Sequence, residues 1–280
     1  MKIVNSISGG KTSAYISANY KADYDVFSLV RTTDIKCVYP DSKIRQFVSD
    51  KIQKEFIGTL EDDMIIRTMI DLEQFIGREI TWLSGKTFDD ITKNYLPNVT
   101  QRFCTTEMKL KPMFEWWRNN FKEPVKMRIG FRANEMSRAK RMESKLSEKG
   151  FSTFKAICGK SKNGKRNKWK EYEWQKPEFP LITDRIFKDK IVNYWKDKPV
   201  NFAYMNNCIG CFHRNEVLLK FMSEKHPNKF NWFINSENSN KNNLKTFKNG
   251  IDYQTIKNSF KQIRLFEEDF NECDSGYCGL

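Results

Sequence analysis

The sequence predicts an α/β fold in which a parallel central sheet is covered by helices on both faces. Short apolar runs that suit strands alternate with helix-like segments through the first half of the chain. A glycine-rich turn at residues 8–13 lies between the first strand candidate and the first helix candidate. Alternating β and α units form parallel sheets, whose ligands bind outside the carboxyl ends of the strands.

The first half of the chain divides into strands and helices by its apolar spacing. Strands are expected over residues 2–7, 25–30, 63–68 and 125–131. Residues 41–56 have the spacing of an amphipathic helix, and so do residues 106–121, where Pro112 predicts a break or a second helix that begins near it.

A basic insertion and further helical segments make up the second half. Residues 137–176 are expected to be partly loop or hairpin, because three glycines punctuate them. A helix is expected over residues 181–196 with Thr183 or Asp184 as its N-cap, and another through Val217 and Phe221. Residues 235–243 are typical of a flexible linker, and residues 251–270 predict a last helix.

Composition limits the classes of protein to be considered. The chain has 280 residues, of which 39% are hydrophobic, enough for one large domain or a core domain with a smaller appendage. No apolar run approaches the roughly 20 residues of a membrane helix, and the N-terminus does not read as a signal peptide. We therefore expect a cytoplasmic protein, in which seven cysteines indicate metal or redox chemistry before disulfides.

Most of the excess positive charge lies in one segment. The net charge is +14, and residues 138–170 hold twelve Lys or Arg against two acidic residues. Such a block attracts polyanions through counterion release, so DNA or tRNA is a candidate partner. A solvated surface loop is the alternative. Trp169, Tyr172 and Trp174 end the block and either stack on bases or belong to the core.

Residues 8–13, Ser-Gly-Gly-Lys-Thr-Ser, are the first candidate site. Gly9 and Gly10 let backbone N–H groups approach an anion, and the helix that follows adds its positive dipole end. The turn resembles the end of a Walker A loop. That motif needs a glycine where this chain has Asn5, so a P-loop NTPase is disfavoured.

The polar side chains of this turn add to the anion site. The hydroxyl groups of Ser8, Thr12 and Ser13 supply hydrogen bonds, and Lys11 supplies a positive charge. An ordinary turn between a strand and a helix is the alternative.

Two further segments carry candidate residues. Cys104 lies between Arg102 and Lys109 just before a helix, where cations favour the thiolate. Arg132 follows the strand candidate at residues 125–131, where a guanidinium can clamp phosphate, and Arg138 can add a second clamp. An ion pair between Arg132 and Glu135 is the alternative reading.

Cys208 and Cys211 have the CxxC spacing of a metal or cluster site. Such a pair needs further ligands, for which Cys104, Cys273 and Cys278 are candidates, with His213 a weaker donor. An iron–sulfur cluster is the first choice and zinc the second. Two reduced cysteines without a metal are the alternative.

The order of these motifs along residues 1–215 resembles the PAPS-reductase-like (phosphoadenosine phosphosulfate reductase) family of the PP-loop adenine nucleotide α-hydrolase superfamily. The PP-loop of that superfamily usually reads Ser-Gly-Gly-x-Asp-Ser, and Thr12 stands in the Asp position here. Segments similar to the family's follow at Cys104, Arg132, Pro180 and Cys208. Where the cluster-bearing reductases have two adjacent cysteines, this chain has Cys104 and Thr105.

The resemblance implies a Rossmann-like (HUP-type) parallel sheet with a small, cysteine-bearing helical extension at the C-terminus. It implies a PP-loop nucleotide-binding domain at residues 1–205, interrupted by the basic insertion, and an extension at residues 206–280. An adenine nucleotide such as ATP, with Mg²⁺, would lie over residues 8–13. Arg132 and Arg138 would face it across the crevice, and Asp34 would reach the adenosine moiety.

The resemblance also implies the chemistry. ATP would be cleaved between its α- and β-phosphates, with Lys11 and Arg132 as catalytic groups, to activate a target for nucleic acid modification or sulfur insertion. A [4Fe-4S] cluster, or zinc, would serve the sulfur chemistry. One alternative is a sulfonucleotide reductase with Cys278 as nucleophile and a thioredoxin-like reductant or sulfur donor as partner. The other is a nucleotide- or nucleic-acid-binding protein without turnover.

Overall fold

A six-stranded, mostly parallel sheet forms the centre of the fold in the computed structural model, which describes residues 1–161, 163–239 and 246–260. The strand order is β3-β2-β1-β4-β6-β5; all neighbours are parallel except β5, which runs antiparallel to β6. The strands are β1 (Ile3–Ile7), β2 (Tyr24–Leu29), β3 (Ile80–Ser84), β4 (Val125–Arg128), β5 (Ser152–Lys160) and β6 (Asn167–Glu178). The α/β class predicted from the sequence is therefore confirmed.

Helices fill the connections between the strands and follow the last one. They are α1 (Lys11–Asn19), α2 (Ser42–Ile52), α3 (Met64–Ile76), α4 (Phe88–Thr92), α5 (Phe103–Thr105), α6 (Lys111–Asn120), α7 (Met136–Glu143), α8 (Pro180–Thr183), α9 (Lys188–Trp195), α10 (Glu216–Lys225), α11 (Pro227–Ser239) and α12 (Tyr253–Asn258). A π-helical turn (Thr106–Leu110) joins α5 to α6, and short 3₁₀ helices cover Ile35–Cys37 and Ala133–Glu135. None of the helices in this part of the chain combines the length and the apolar character that a membrane crossing requires.

Each face of the sheet has its own apolar core because side chains alternate along a strand. Ile7, Phe27 and Ile80 lie in a cluster with α1, α2, α3 and α9. Val26 and Met127 lie in a second cluster with α6 and α7. Helices thus cover both faces, as a parallel sheet requires.

The C-terminal helices share a third core with the loops that leave the sheet. Leu219 of α10, Phe233 of α11 and Ile256 of α12 cluster with Leu60, Phe88 and other residues that follow β2 and β3. The CxxC segment lies in this same cluster through Ile209, which is fully buried. The described parts of the extension predicted at residues 206–280, residues 206–239 and 246–260, therefore pack against the loops at the carboxyl edge of the sheet.

A buried carboxylate ties β1, β2 and α1 together. Asp25 on β2 accepts hydrogen bonds from Asn5 on β1 at 2.9 Å and from Ser17 on α1 at 2.8 Å. Arg78, just before β3, binds the second oxygen of Asp25 at 2.6 Å. Because Asp25 is only 1% exposed, these partners replace the water that its charge would otherwise need. Asn5, which excluded the Walker A motif, is thus part of the framework beneath the loop.

The strand predicted over residues 63–68 was wrong, since these residues belong to α3. The apolar run at the start of α3 continues with Met69 and Leu72, and both side chains are fully buried in the cluster that contains α1. This spacing belongs to a helix, which ends at Gly77 with a left-handed φ of 63°. The true third strand, β3, was missed.

The second helix expected near Pro112 is confirmed as α6, which begins at Lys111 with Pro112 in its first turn, where the missing N–H of proline is not needed. Two other predicted boundaries were wrong. Residues 181–196 form two helices rather than one, and α9 begins only after Phe187 instead of after Thr183 or Asp184. Residues 235–239, predicted to begin a flexible linker, continue α11. Within the segment 251–270, predicted as one helix, the described residues form α12, and residues 261–270 lie outside the described part of the chain.

The basic insertion contains α7 and the β5–β6 hairpin, which confirms the expected hairpin. Its three aromatic residues have different environments. Trp174 is 2% exposed and lies in the core, Tyr172 packs partly against that core, and Trp169 is 57% exposed. Stacking on bases is therefore ruled out for Trp174 by its burial, and Trp169 is left as the accessible ring.

Glu237 on α11 fastens the C-terminal segment to the rest of the protein. Its carboxylate accepts hydrogen bonds from the N–H groups of Phe247 at 3.0 Å and Tyr253 at 2.7 Å. Burial raises the pKa of Glu237 from 4.5 to about 7, against the opposing effect of these hydrogen bonds.

This raised pKa predicts how stability depends on pH. The folded protein holds the proton on Glu237 more tightly than the unfolded chain, so its contribution is complete below about pH 4.5 and lost as the pH rises through about 7. The Glu237→Gln variant should show a flatter loss of stability over this window, measured by urea unfolding. Glu224→Gln, at an exposed glutamate of α10, serves as the control. An unchanged pH profile for Glu237→Gln would contradict this assignment.

Candidate functional site

The topology of the sheet creates a crevice between β1 and β4. In the sheet, β2 and β3 lie on one side of β1, whereas β4 and β6 lie on the other side of it. The connections leaving β1 and β4 therefore diverge at their carboxyl ends, where open parallel sheets bind ligands. Residues 8–13 follow β1, and residues 130–138 follow β4.

Both glycines of the first loop are required by close packing. Gly9 has a left-handed φ of 76°, and a Cβ atom there would lie 2.6 Å from Cγ2 of Ile65 on α3. A Cβ atom on Gly10 would collide with the side-chain amide of Asn206. The loop is therefore held between α3 and the segment that leads to the CxxC pair.

Hydrogen bonds within the loop give its hydroxyl groups different roles. The Ser13 hydroxyl accepts from the Ser8 N–H and donates to the Gly10 carbonyl, each at 3.1 Å. Ser13 is buried and so closes the turn. Among the described residues no side chain caps α1, whose N-cap residue is Gly10, and Lys11 is exposed at its first position. The first turn of α1, here called the cradle, therefore has N–H groups without a side-chain acceptor, an arrangement that favours an anion.

The segment after β4 reaches this cradle. A Cβ atom on Gly130 would lie 3.4 Å from Cγ2 of Thr12 and 3.5 Å from the Ser13 nitrogen, so the two loops are direct neighbours. The sequence motifs at residues 8–13 and 130–138 are thus brought together, as the parallel sheet predicts.

Glu135 holds both predicted arginine clamps. The backbone N–H and Nε of Arg132 each donate to one carboxylate oxygen of Glu135 at 2.9 Å, and Arg138 binds the other oxygen. Burial opposes ionisation of Glu135, but the hydrogen bonds from Arg132 outweigh it and lower the pKa. The ion pair that the sequence left as an alternative is therefore present. The Arg138 guanidinium also lies 4.2 Å from the ring centroid of Phe131.

Asp34 lies in the loop after β2, at the same edge of the sheet. Its carboxylate accepts a hydrogen bond from the Lys36 N–H at 2.8 Å and caps the short 3₁₀ helix Ile35–Cys37. This cap gives Asp34 a local structural role.

A second site at the carboxyl edge is a cavity of about 50 Å³ lined by Cys104, Cys208 and Cys211. The Cys211 N–H bonds to the Cys208 carbonyl at 3.1 Å and closes the CxxC turn. A Cβ atom on Gly210 would lie 2.5 Å from the Phe233 ring, so only glycine fits here. Three of the five cysteines that the sequence offered as ligands therefore share one cavity, and His213, the weaker candidate donor, lines it as well.

The expected activation of Cys104 was wrong. Burial, followed by the nearby Cys211, raises the pKa of Cys104 to about 11, and the opposing effects of Thr105 and Arg102 are smaller. Lys109, the second expected cation, forms an ion pair with buried Glu61 at 3.0 Å. Burial raises the pKa of Cys208 as well, and Glu61 adds to that rise.

Asn207 is a site residue that sequence reasoning missed. Its side chain lines the cavity and is 3% exposed, and neither amide atom has a hydrogen-bond partner among the described residues. Such an orphaned amide marks a polar position that no described residue satisfies, in a wall to which four phenylalanines contribute. The sequence signal was its place beside Cys208, directly after Asn206, which contacts Gly10 of the first loop.

The remaining cysteines lie away from this cavity or outside the described residues. Cys37 is buried near the Asn228 carbonyl, Cys158 is exposed on β5, and Cys273 and Cys278 fall outside the described ranges. Within residues 1–161, 163–239 and 246–260, no three His, Cys, Asp or Glu side chains are placed to hold a metal ion.

These environments predict the order of alkylation by iodoacetamide near pH 7. Exposed Cys158 should react first. Burial raises the pKa of Cys104 from 9.0 to about 11, which lowers its thiolate fraction roughly 100-fold beyond the steric protection. Peptide mass spectrometry over time gives the order, and labelling in urea, where all thiols are accessible, is the control. Equal rates in the folded protein would contradict the burial of Cys104.

Known proteins provide no family assignment for this chain. No family model matches it, and no curated protein and no solved structure is significantly similar to it. Its function must therefore be inferred from the geometry of the two sites and from the motifs that form them.

Proposed function

We propose that this protein binds an adenine nucleotide between β1 and β4 and cleaves ATP between the α- and β-phosphates to activate an acceptor. One observation carries the proposal: the uncapped N-terminus of α1 and the segment after β4 meet where the sheet order diverges. That arrangement supports phosphate binding. The PP-loop resemblance of residues 8–13 supports adenine nucleotide as the ligand.

The residues of the crevice have complementary roles in this proposal. The first-turn N–H groups of α1 and the exposed Lys11 bind the phosphates. Arg132 and Arg138, oriented by Glu135, supply positive charge from the β4 side. Ser13 closes the turn, and Thr12 faces Gly130 in the position where the superfamily usually has Asp.

The proposed reaction is a nucleotidyl transfer. An oxygen of the acceptor attacks the α-phosphorus, and a new oxygen–phosphorus bond forms. The bond from the α-phosphorus to the bridging oxygen breaks, and pyrophosphate leaves with that electron pair as its Mg²⁺ complex. Positive charge from Lys11 and the arginines stabilises the charge that develops on the phosphates.

Substitution of Lys11 tests this assignment. Lys11→Ala should lower pyrophosphate release by about 100-fold, the usual effect of removing one group that stabilises a transition state. Lys21→Ala, at an exposed lysine just beyond the other end of α1, is the matched control and should keep wild-type activity. Release is measured from ATP and Mg²⁺ with and without tRNA or DNA.

The possible outcomes separate the alternatives. Nucleotide binding without pyrophosphate release under any condition would exclude cleavage and leave a binding protein. Thiol-dependent sulfite release that needs Cys278 would instead favour the sulfonucleotide reductase.

We further propose that Cys104, Cys208 and Cys211 hold an iron–sulfur cluster rather than zinc. The three thiols share one cavity, and Asn207 places an orphaned amide at its wall. A single zinc ion needs ligands that converge at about 2.3 Å from one point. A cluster binds each cysteine at a different iron, so its ligands need not converge on one point. When bound, the group would supply electrons or sulfur, and metal binding would displace the protons of these thiols.

Metal analysis of cysteine variants tests this second proposal. Protein purified without oxygen should contain iron and sulfide, and Cys104→Ser, Cys208→Ser and Cys211→Ser should each lose most of the iron. Cys158→Ser is the matched control, because Cys158 lies exposed on β5 and outside the cavity. Zinc in place of iron, or iron retained in all three variants, would contradict the cluster.

A further inference from the structure

The β5–β6 hairpin forms a cationic projection at the edge of the sheet. The two strands pair from Ser152 opposite Gln175 to Lys160 opposite Asn167, with register shifts after Ser152 and between Ile157 and Gly159. Residues 153–170 contain seven Lys or Arg and no acidic residue. Because β5 is the edge strand of the sheet, its outer side is not covered by another strand from the part of the chain that the structure describes.

The hairpin extends well beyond the strand on which it rests. β6 pairs with β4 only from Gln175 to Glu178, so the residues before Gln175 continue past the amino end of β4. At about 3.3 Å per residue, Trp169 lies about 20 Å beyond that end. The cationic part thus points away from the crevice between β1 and β4.

The two faces of the hairpin have different surroundings. On one face, Phe154 stacks on Phe114 of α6 with ring centroids 4.5 Å apart, and Arg118 of α6 lies 5.2 Å from the Tyr172 ring. On the other face, Ile157 and Trp169 are a cross-strand pair and are 42% and 57% exposed. Packing against α6 accounts for the aromatic residues on the first face. It does not account for the exposed tryptophan on the second face.

We propose that this hairpin binds single-stranded nucleic acid. Its lysines contact the phosphates, and the exposed ring of Trp169 stacks on a base. Counterion release favours phosphate binding by such a cationic ribbon, and an accessible aromatic ring adds stacking that any base can provide. A duplex keeps its bases stacked on each other, so Trp169 favours a single strand.

This site differs from the nucleotide crevice in place and in chemistry. Trp169 and Glu178 are nine positions apart on β6, which corresponds to about 30 Å of strand. Binding at the hairpin does not depend on ATP cleavage, so the failure of one proposal leaves the other standing. If both hold, the hairpin tethers a strand whose modified position lies at a distance from the tethered base.

Fluorescence anisotropy with the full chain tests the inference. The probes are labelled oligo(dT) and oligo(U) of about 16 nucleotides, long enough for one such site. Trp169→Ala should weaken binding about tenfold, since stacking on the ring is lost, whereas Trp169→Phe should bind nearly as wild type. The two probes distinguish DNA from RNA.

A pair of charge-matched variants tests the lysines. Lys165→Gln with Lys168→Gln should weaken binding and reduce the salt slope of log Kd by about 1.4, since each phosphate contact contributes about 0.7 for single strands. Lys43→Gln with Lys93→Gln removes the same charge from exposed positions outside the hairpin and should change neither quantity. The substitutions at Lys165, Lys168 and Trp169 all alter exposed side chains, so the midpoint of thermal unfolding should not change in any of these variants.

Several results would overturn the inference. They are the absence of wild-type binding at low salt, equal binding by Trp169→Ala, and an equal loss in the control pair. Tighter binding of duplex than of single strands would also overturn it. Anionic lipid vesicles are a further probe, and binding to vesicles in preference to both oligonucleotides would assign the hairpin to a lipid surface instead.

Discussion

The buried charge of Asp25 is the constraint on which the candidate nucleotide site depends. It must be hydrogen-bonded because it is almost wholly removed from water, and its partners come from β1, α1 and the segment before β3. These bonds set α1 against the sheet. The direction of α1 in turn aims its uncapped first turn at the crevice beside β4. A polar network in the core thus determines where an anion can bind.

The two candidate sites share a boundary at the carboxyl edge of the sheet. Asn206 contacts Gly10 of the nucleotide loop, and the next residue, Asn207, lines the cysteine cavity. On the other side, Ile65 packs against Gly9, and the Leu60 carbonyl accepts the N–H of Ile209 in the CxxC turn. Two short segments therefore touch both sites.

Part of this arrangement follows from local sequence patterns. The turn at residues 8–13 and the strands around it were predicted, because glycine position and apolar alternation are local signals. The apolar run at residues 63–68 suited both a strand and a buried helix, and only its packing on α1 selected the helix. Asn207 could not be assigned from the sequence, because an unpartnered amide is defined by neighbours distant in the chain.

The sequence by itself determined the α/β class, the glycine-rich loop after β1, and the CxxC pair with Cys104 as one of several candidate partners. The structure places Cys104 in one cavity with that pair. Only the tertiary structure decided the charge states and the accessibility of these groups. Cys104 has cationic neighbours in the sequence, yet burial raises the pKa of its thiol. Lys109, one of those cations, forms an ion pair with Glu61 instead. Likewise Trp169 and Trp174 are alike in the sequence, and the packing of α6 on one face of the hairpin is what separates them. Burial and pairing depend on residues far apart in the chain, so local patterns do not contain them.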